Sequence, residues 1–383
     1  MIESEKARCR ILVLGKYYYP YKGGIEDNAK RVCETLANFH NVTAVVHAND
    51  HVTISEKICG VVVRRFGTVL TIASQPISLG MLSSRNYRGY DIIHFHAPNP
   101  FASVPLLLFL MRSPKTKLVI THHMDISGRR VFRYVAIKIY HALCRRANRV
   151  IVTSSRNAEI SRDLSSAATV VEIPLSVDLT EFQMTNKEKN EAHRWRIEVF
   201  GDAPMLAFVG RHVRYKGLPV LMHAMVALPG VKIAIAGSGP LTPSLKVLVK
   251  KLKITERVVF LGEIDHDAKL RLLHSCDIFV FPSTEVTEAF GISQLEAMAM
   301  RAPVVSTDLP TGVTDVSIHE WTALLSSPGD PQSLAAAIRR LLMDHPLAER
   351  LAANAYDRLL ARFTHKAVME KTQVLFQQVI DEG

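Results

Sequence analysis

The sequence predicts an α/β fold made of two similar domains with parallel sheets, and three observations carry that prediction. The chain has 383 residues, more than one ordinary core serves and suited to two domains of about 150–200 residues each. Short apolar strands alternate with helical stretches along its whole length, the rhythm of a parallel sheet with helices on both faces. Over residues 174–204 the sequence turns polar and loses its period, which marks a connection between two halves. Apolar content of 48% against 22% charged describes a globular chain without a disordered tract.

In order, the first half offers strands at 11–14, 42–46, 61–65, 92–95, 118–121, 150–153 and 170–173, with helices at 25–39, 131–146 and 156–164. The second half repeats the pattern with strands at 206–209, 232–236, 258–261, 277–281 and 304–306. Both halves read as Rossmann-like. Open sheets of this kind bind ligands outside the carboxyl ends of their strands, so a site in the cleft between two lobes is expected.

Charge divides unevenly. Residues 1–175 hold 24 Lys/Arg against 12 Asp/Glu, and residues 176–383 hold 23 against 24, so the net charge of +11 lies on the first half. Residues 129–149 alone carry seven basic side chains and no acid, with apolar Val131, Tyr134, Val135, Ile137, Tyr140 and Leu143 among them. This is an ordinary packing helix or one that lies on an anionic membrane surface. Nucleic acid is not the expected partner, because no recognition motif accompanies the charge. The apolar run 104–111 is eight residues long and contains Pro105, far short of the roughly 20 needed to span a bilayer. Residues 1–6 are charged and lack an apolar core, so no secretory signal is expected. The five cysteines are scattered with no C-x2-C pair, which suggests a reducing, cytoplasmic setting and neither disulfides nor zinc.

The most informative stretch is residues 287–300, TEAFGISQLEAMAM. A buried strand precedes it and Pro282-Ser283 cuts that strand off. Gly291 marks a turn, and helical spacing follows from Ile292, so a helix should begin near Phe290. Its first N–H groups form an anion seat that Gly291 leaves open. Glu288 and Glu296 flank that seat, and ionised carboxylates grip paired hydroxyls. The pattern suggests a sugar, a diphosphate and a ribose. The plainer alternative is a solvated Glu296 and a helix-start Glu288.

Other runs also sit at strand ends. Gly23-Gly24 opens a helix after the first strand, as a phosphate loop or a simple turn would. Arg211 and Lys216 follow the first strand of the second half, where Arg offers a fork and Lys a compact charge. Gly237 and Gly239 form another turn. His94 and His96 alternate onto one face, where packing is the better reading than metal binding because no third ligand is near. Asp265-His266-Asp267 reads as a helix cap. No metal site is expected.

The Glu-x7-Glu run, continued by Ala302-Pro303-Val304-Val305-Ser306-Thr307 and Thr311-Gly312-Val313, resembles the signature of retaining glycosyltransferases of family 4, which have the GT-B fold of two Rossmann-like domains facing each other across a cleft. That resemblance implies a first domain of residues 1–175 completed by helix 366–383, and a donor-binding domain of residues 176–365. It implies that His123, in the run Thr121-His122-His123-Met124-Asp125, reaches the transferred sugar. Arg211 and Lys216 would stabilise the leaving diphosphate, with Gly23, Gly24, Gly237, Gly239, Phe290, Gly291 and Ile292 along the donor. Glu288 would orient the sugar and Glu296 hold the ribose. The expected reaction moves a hexose, mannose from GDP-mannose by preference, from a nucleotide diphosphate sugar to a hydroxyl of a lipid-linked or glycan acceptor. It would retain configuration and need no metal, in lipopolysaccharide or polysaccharide synthesis at the inner face of the cell membrane. An epimerase or phosphorylase of the same architecture, or a non-catalytic nucleotide-sugar-binding subunit, is the alternative.

Overall fold

A computed structural model describes residues 8–21, 23–72, 75–126, 130–164, 167 and 169–382, with the side chains of Arg130 and Val131 outside that description. The chain forms two compact units, residues 1–174 with 368–383, and residues 175–367.

The first unit contains β1 (Arg10–Leu14), α1 (Gly24–Ala37), β2 (Asn41–His47), β3 (Ile54–Ile58), β4 (Val61–Phe66), a hairpin of β5 (Leu70–Ile72) and β6 (Gln75–Ile77), β7 (Ile92–Ala97), α2 (Pro100–Leu110), β8 (Lys117–His122), α3 (Arg130–Arg146), β9 (Arg149–Val152), α4 (Ser155–Ile160) and β10 (Val170–Glu172). Its main sheet runs β10-β9-β8-β7-β1-β2-β4-β3. All neighbours are parallel except the edge strand β3, which is antiparallel to β4. The order reverses between β1 and β7, so the loops after those two strands diverge there. The helix His365–Asp381 closes this unit, burying Val368, Met369, Leu375, Phe376 and Val379 among sheet residues such as Ile11, Val13 and Ile92.

The second unit contains α5 (Asn186–Phe200), β11 (Met205–Val209), α6 (Leu218–Val226), β12 (Lys232–Ala236), α7 (Thr242–Lys251), β13 (Val258–Gly262), α8 (His266–Ser275), β14 (Ile278–Val280), α9 (Ile292–Ala299), β15 (Val304–Thr307), α10 (Gly312–Val316), β16 (Leu324–Ser326), α11 (Pro331–Met343) and α12 (His345–Arg362). Its sheet is wholly parallel in the order β13-β12-β11-β14-β15-β16. The switch point lies between β11 and β14.

Several elements differ from the sequence expectation. Residues 174–204 are not an aperiodic connection. They include α5, started by a capping box between Thr185 and Glu188 and anchored by buried Ala192 and Phe200, so local capping outweighs the polar composition. The strands β3 and β16 and the helix α2 were not legible: β3 is an exposed edge, and α2 is apolar almost all round. The stretch 156–164 stops being helical at Ile160, because Ser161 bonds Asp125 and Asp163 accepts from the Ile126 N–H.

Candidate active site

Two loops meet at the switch point of the second unit. One leaves β11 and carries Arg211 and Lys216; the other leaves β14 and carries Glu288. The Thr284 N–H donates to the Tyr215 carbonyl at 2.8 Å, and Lys216 Nζ lies 2.6 Å from Glu288 Oε2. Their side chains are only 13% and 10% exposed. The same Oε2 accepts from Ser283 Oγ at 3.0 Å, and Thr311 Oγ1 donates to the Glu288 carbonyl at 2.8 Å. Among the described residues no hydrogen bond is made to Oε1 of Glu288, and Lys216 has donors to spare. Arg211 is exposed and close enough to hold down the Tyr215 phenol, whose pKa burial and Glu288 push up overall.

A third loop joins them. The Gly210 N–H donates to Ala236 and the His212 N–H to Ser238, so the turn holding Gly237 and Gly239 packs onto the Arg211 loop. At Gly237, with φ +116, a Cβ would lie 2.0 Å from the Gly210 carbonyl oxygen. The two chains can touch only because no side chain stands there.

The helix expected near Phe290 begins at Ile292, with Gly291 as its cap at φ +79. The free N–H groups are therefore those of Ile292 and Ser293, and Phe290 is a buried ring packed against Phe363 at 5.9 Å. A Cβ on Gly291 would also meet Phe281 at 2.4 Å, so glycine is required here by backbone and packing, whatever its ligand. No side chain caps α9, and the buried Ser293 Oγ has no partner. Glu296 is held through one oxygen by Lys269 Nζ at 2.6 Å.

A pattern of caps surrounds this site. Asp265, Thr311 and Asp330 cap α8, α10 and α11, which follow β13, β15 and β16. The helices after β11, β12 and β14, namely α6, α7 and α9, have no side-chain cap. The Asp265-His266-Asp267 run acts as a cap, with Asp265 accepting from the Ala268 N–H at 2.8 Å. Among the described residues no group of three His, Cys, Asp or Glu could hold a metal ion.

In the first unit, Gly23 caps α1 with extended backbone at φ 175, and a Cβ on Gly24 would meet open space. Neither glycine is demanded by strain. The carboxylate of Glu26 lies over Gly23, where burial raises its pKa against the pull of its own N–H and of Lys16. An anion of the protein therefore already stands at this helix start, which the sequence had offered to a phosphate. Lys22 of the same run lies outside the described residues.

His123 follows β8 and is buried. Its Nε2 lies 3.0 Å from Nδ1 of His96, with the rings nearly parallel. His94, on the same face of β7, bonds Thr121 Oγ1 through Nε2 at 2.7 Å. Burial lowers the pKa of all three, that of His94 to about 3, and the neighbouring imidazoles lower them further. The loop bearing His123 is pinned from its other side. His122 bonds Tyr140 at 2.8 Å and lies 3.2 Å from Asp125. Burial opposes ionisation of Asp125, but bonds from His122 and Ser161 carry its pKa below the usual carboxylate range. The sequence singled out neither this network nor Ser283, Tyr215 and Ser293; its only cue was that hydroxyls and imidazoles cluster at strand ends.

On α3, Tyr140 and Leu143 are buried while Phe132, Tyr134 and Val135 are 79%, 60% and 52% exposed. Not all of the basic run is available to a surface. Arg133 donates to the Ile126 carbonyl, Arg146 to those of Pro114 and Thr116, and Arg149 to that of Asn148. Lys138 and Arg145 remain exposed, and Arg129 lies outside the described residues. No helix among the described residues is long and apolar enough to cross a membrane.

Comparison with known proteins agrees with this architecture. The description Glycosyltransferase Family 4 matches residues 22–181, and Glycosyl transferases group 1 matches residues 189–358. The D-rhamnosyltransferase WbpZ of Pseudomonas aeruginosa is 30% identical over 89% of this chain and 88% of that protein. The O-antigen chain mannosyltransferase C of Escherichia coli is 28% identical over 97% and 99% respectively. Among solved structures, HepE of Anabaena in complex with UDP aligns with a TM-score of 0.80 at 21% identity, over 96% of this chain and 100% of that one. Sucrose-phosphate synthase from Thermosynechococcus elongatus aligns with 0.79 at 23% identity, over 98% and 100%. The fold is that of the GT-B glycosyltransferases. The chain belongs to the family 4 and group 1 glycosyltransferases, and it is a glycosyltransferase enzyme.

Two outcomes follow from this geometry. Lys216→Met should cost about 3 kcal/mol, because it leaves the Glu288 carboxylate buried and unpaired. Adding Glu288→Gln should recover most of that loss in urea unfolding. Acid should destabilise the first unit through its histidines. His94 and His47 have folded pKa values near 3 and 4, below the unfolded value of roughly 6.5. Their contribution is complete above that value and is lost as pH falls, by about 2 kcal/mol each at pH 5. A pH series of thermal melts should decline below pH 6.5, and less steeply in His94→Gln.

Proposed function

We propose that the enzyme transfers a hexose, mannose by preference, from a nucleotide diphosphate sugar to a hydroxyl of a lipid-linked or polysaccharide acceptor in cell-surface glycan synthesis. The observation that carries this reading is the Glu288 carboxylate. One of its oxygens is fixed by Lys216 and Ser283 and the other is open, beside an uncapped helix start. Arg211, Lys216 and the N–H groups of Ile292 and Ser293 would stabilise charge on the leaving diphosphate. Glu288 Oε1 would accept from a sugar hydroxyl, the free oxygen of Glu296 from the ribose, and His123 would hydrogen-bond the sugar. The turn of Gly237 and Gly239 would face the base.

The reaction retains configuration and needs no metal in this reading. The bond from the anomeric carbon to the phosphate oxygen breaks, and the acceptor oxygen bonds the same face. Its proton passes to the departing diphosphate. What supports mannose is the likeness to a mannosyltransferase and a rhamnosyltransferase. UDP in the aligned HepE structure makes a uridine donor the competing choice.

A thermal-shift panel of UDP, GDP, ADP and dTDP sugars separates these. The preferred donor at 100 times its dissociation constant should add about 2.7 kcal/mol, and the expected winner is GDP-mannose. Arg211→Ala should lower kcat about 100-fold. Unchanged turnover would remove Arg211 from the mechanism. Conversion of donor with no acceptor present would favour an epimerase.

A second element of the reading is reversible attachment to an anionic membrane, favoured by exposed Phe132, Tyr134 and Val135 beside Lys138 and Arg145 on α3. Each exposed cation would add about 1 kcal/mol. The protein should co-sediment with anionic vesicles and not with zwitterionic ones, and Lys138→Glu with Phe132→Ser should release it. Equal sedimentation with both lipids would rule this surface out.

A further inference from the structure

The two imidazoles joined across β7 and β8 fix a proton whose position has chemical consequences. His96 Nδ1 and His123 Nε2 are 3.0 Å apart, so one of them must carry the hydrogen. Burial holds both rings neutral, and a neutral imidazole has one N–H and one bare nitrogen. The second nitrogen of His96, Nε2, is buried and has no hydrogen-bond partner among the described residues. If His123 donated, His96 would have to carry its proton on that nitrogen, as an orphaned buried N–H. If His96 donates, the buried orphan on His96 is only a lone pair, and the proton of His123 lies on Nδ1, which is not among the buried atoms left without a partner. Buried donors left without a partner are the rarer and costlier case.

We infer that His96 is a positioning residue: it donates from Nδ1 to Nε2 of His123, and so holds His123 in the tautomer with its own proton on Nδ1. His94 follows the same logic. Its Nδ1 is buried without a partner while Nε2 meets Thr121 Oγ1 at 2.7 Å, which puts its proton on Nε2. The His123 backbone N–H donates to the Ala97 carbonyl, and the bonds of His122 and Asp125 hold the loop from behind.

The consequence rests on the proposed contact of His123 with the sugar. Among the described residues no hydrogen bond is made by Nδ1 of His123, and with a proton there it can only donate. Its complement on the substrate is an oxygen with a free lone pair, a sugar hydroxyl oxygen or an ether oxygen. At this nitrogen His123 cannot take a proton from the acceptor, which accords with the proposed transfer of that proton to the departing phosphate.

Nitrogen-15 NMR of the full-length, histidine-labelled enzyme at pH 7.5 tests this directly, with the His123 signals assigned by their loss in His123→Ala. The expected pattern is a protonated Nδ1 and a bare Nε2 on His123. In His96→Leu that signature should give way to a mixture of tautomers, and kcat should fall about tenfold, the scale of one hydrogen bond. The donor KM should change little. His96→Asn places an amide nitrogen near the Nδ1 position and should restore both the signature and most of kcat. A His123 protonated on Nε2 in the unmodified enzyme overturns the inference, and so does a signature that His96→Leu leaves unchanged. Should His96→Leu fail to fold, the unmodified spectrum still decides. Full activity in His123→Ala together with the expected spectrum would sink the proposed sugar contact and leave the assignment of His96 standing.

Discussion

Lys216 and Glu288 hold the second unit open and closed at once. After β11 the chain winds to one side of the sheet, and it arrives at β14 to build the other. The loops beyond these strands would part at that point without a tie. The ion pair and the bond from Thr284 to Tyr215 provide one. Two charges mostly withdrawn from water are a poor source of stability, and an apolar pair of similar volume would hold the loops as well. A charged pair keeps something an apolar pair would not. It leaves a carboxylate oxygen and ammonium hydrogens facing the space above the sheet, already oriented before any ligand arrives.

The first unit meets the related problem with the opposite means. The ends of β7 and β8 are lined by His94, His96, Thr121, His122 and His123, all buried. A charge on His94, His96 or His123 would need a counter-ion, and burial disfavours the charge instead. What remains is a chain of neutral hydrogen bonds with direction but no field. Neutral imidazoles suit a hydroxylated partner, as the Lys216 and Arg211 loops suit a phosphorylated one. The distribution of formal charge adds a contrast. The first unit carries nearly all of the protein's positive excess, yet Arg133, Arg146 and Arg149 spend theirs on carbonyl groups of their own unit.

Much of this was legible before the structure. Central strands announced themselves because both of their faces are buried, giving unbroken runs such as ILVL after Arg10 and AFV before Gly210. Edge strands did not: Ser55, Glu56 and Lys57 in β3 face solvent and carry no pattern. The helix α5 stayed hidden because its signal is a capping box, and only Ala192 and Phe200 are buried along it. At the site, residue types at strand ends pointed to Arg211, Lys216, Glu288 and His123. The sequence could not say that Lys216 would bond Glu288, or that His96 would bond His123. Those contacts join residues 72 and 27 positions apart, and they depend on which strands become neighbours. Gly291 was legible as a turn but for a different reason, since its left-handed backbone and the Phe281 ring exclude a side chain without any ligand.

The caps of the second unit bear on whether its helix starts are built for a ligand. A missing N-cap costs about 1 kcal/mol, and a glycine in its place only a few tenths, so α6 and α9, which begin at Gly217 and Gly291, forgo little. The chain does not lack the means to cap, because Asp265, Thr311 and Asp330 do so on neighbouring helices. The uncapped set is not scattered. It follows β11, β12 and β14, of which β11 and β14 flank the switch point, and the capped set follows β13, β15 and β16. A capping carboxylate at α9 would place a negative group where the free N–H groups of Ile292 and Ser293 now lie, and would repel any anion approaching them. Leaving the start of α9 bare keeps the N–H groups of Ile292 and Ser293 free at the end of the sheet where the Lys216 loop lies. The stability forgone is small beside the binding energy that a doubly charged diphosphate recovers from such a surface.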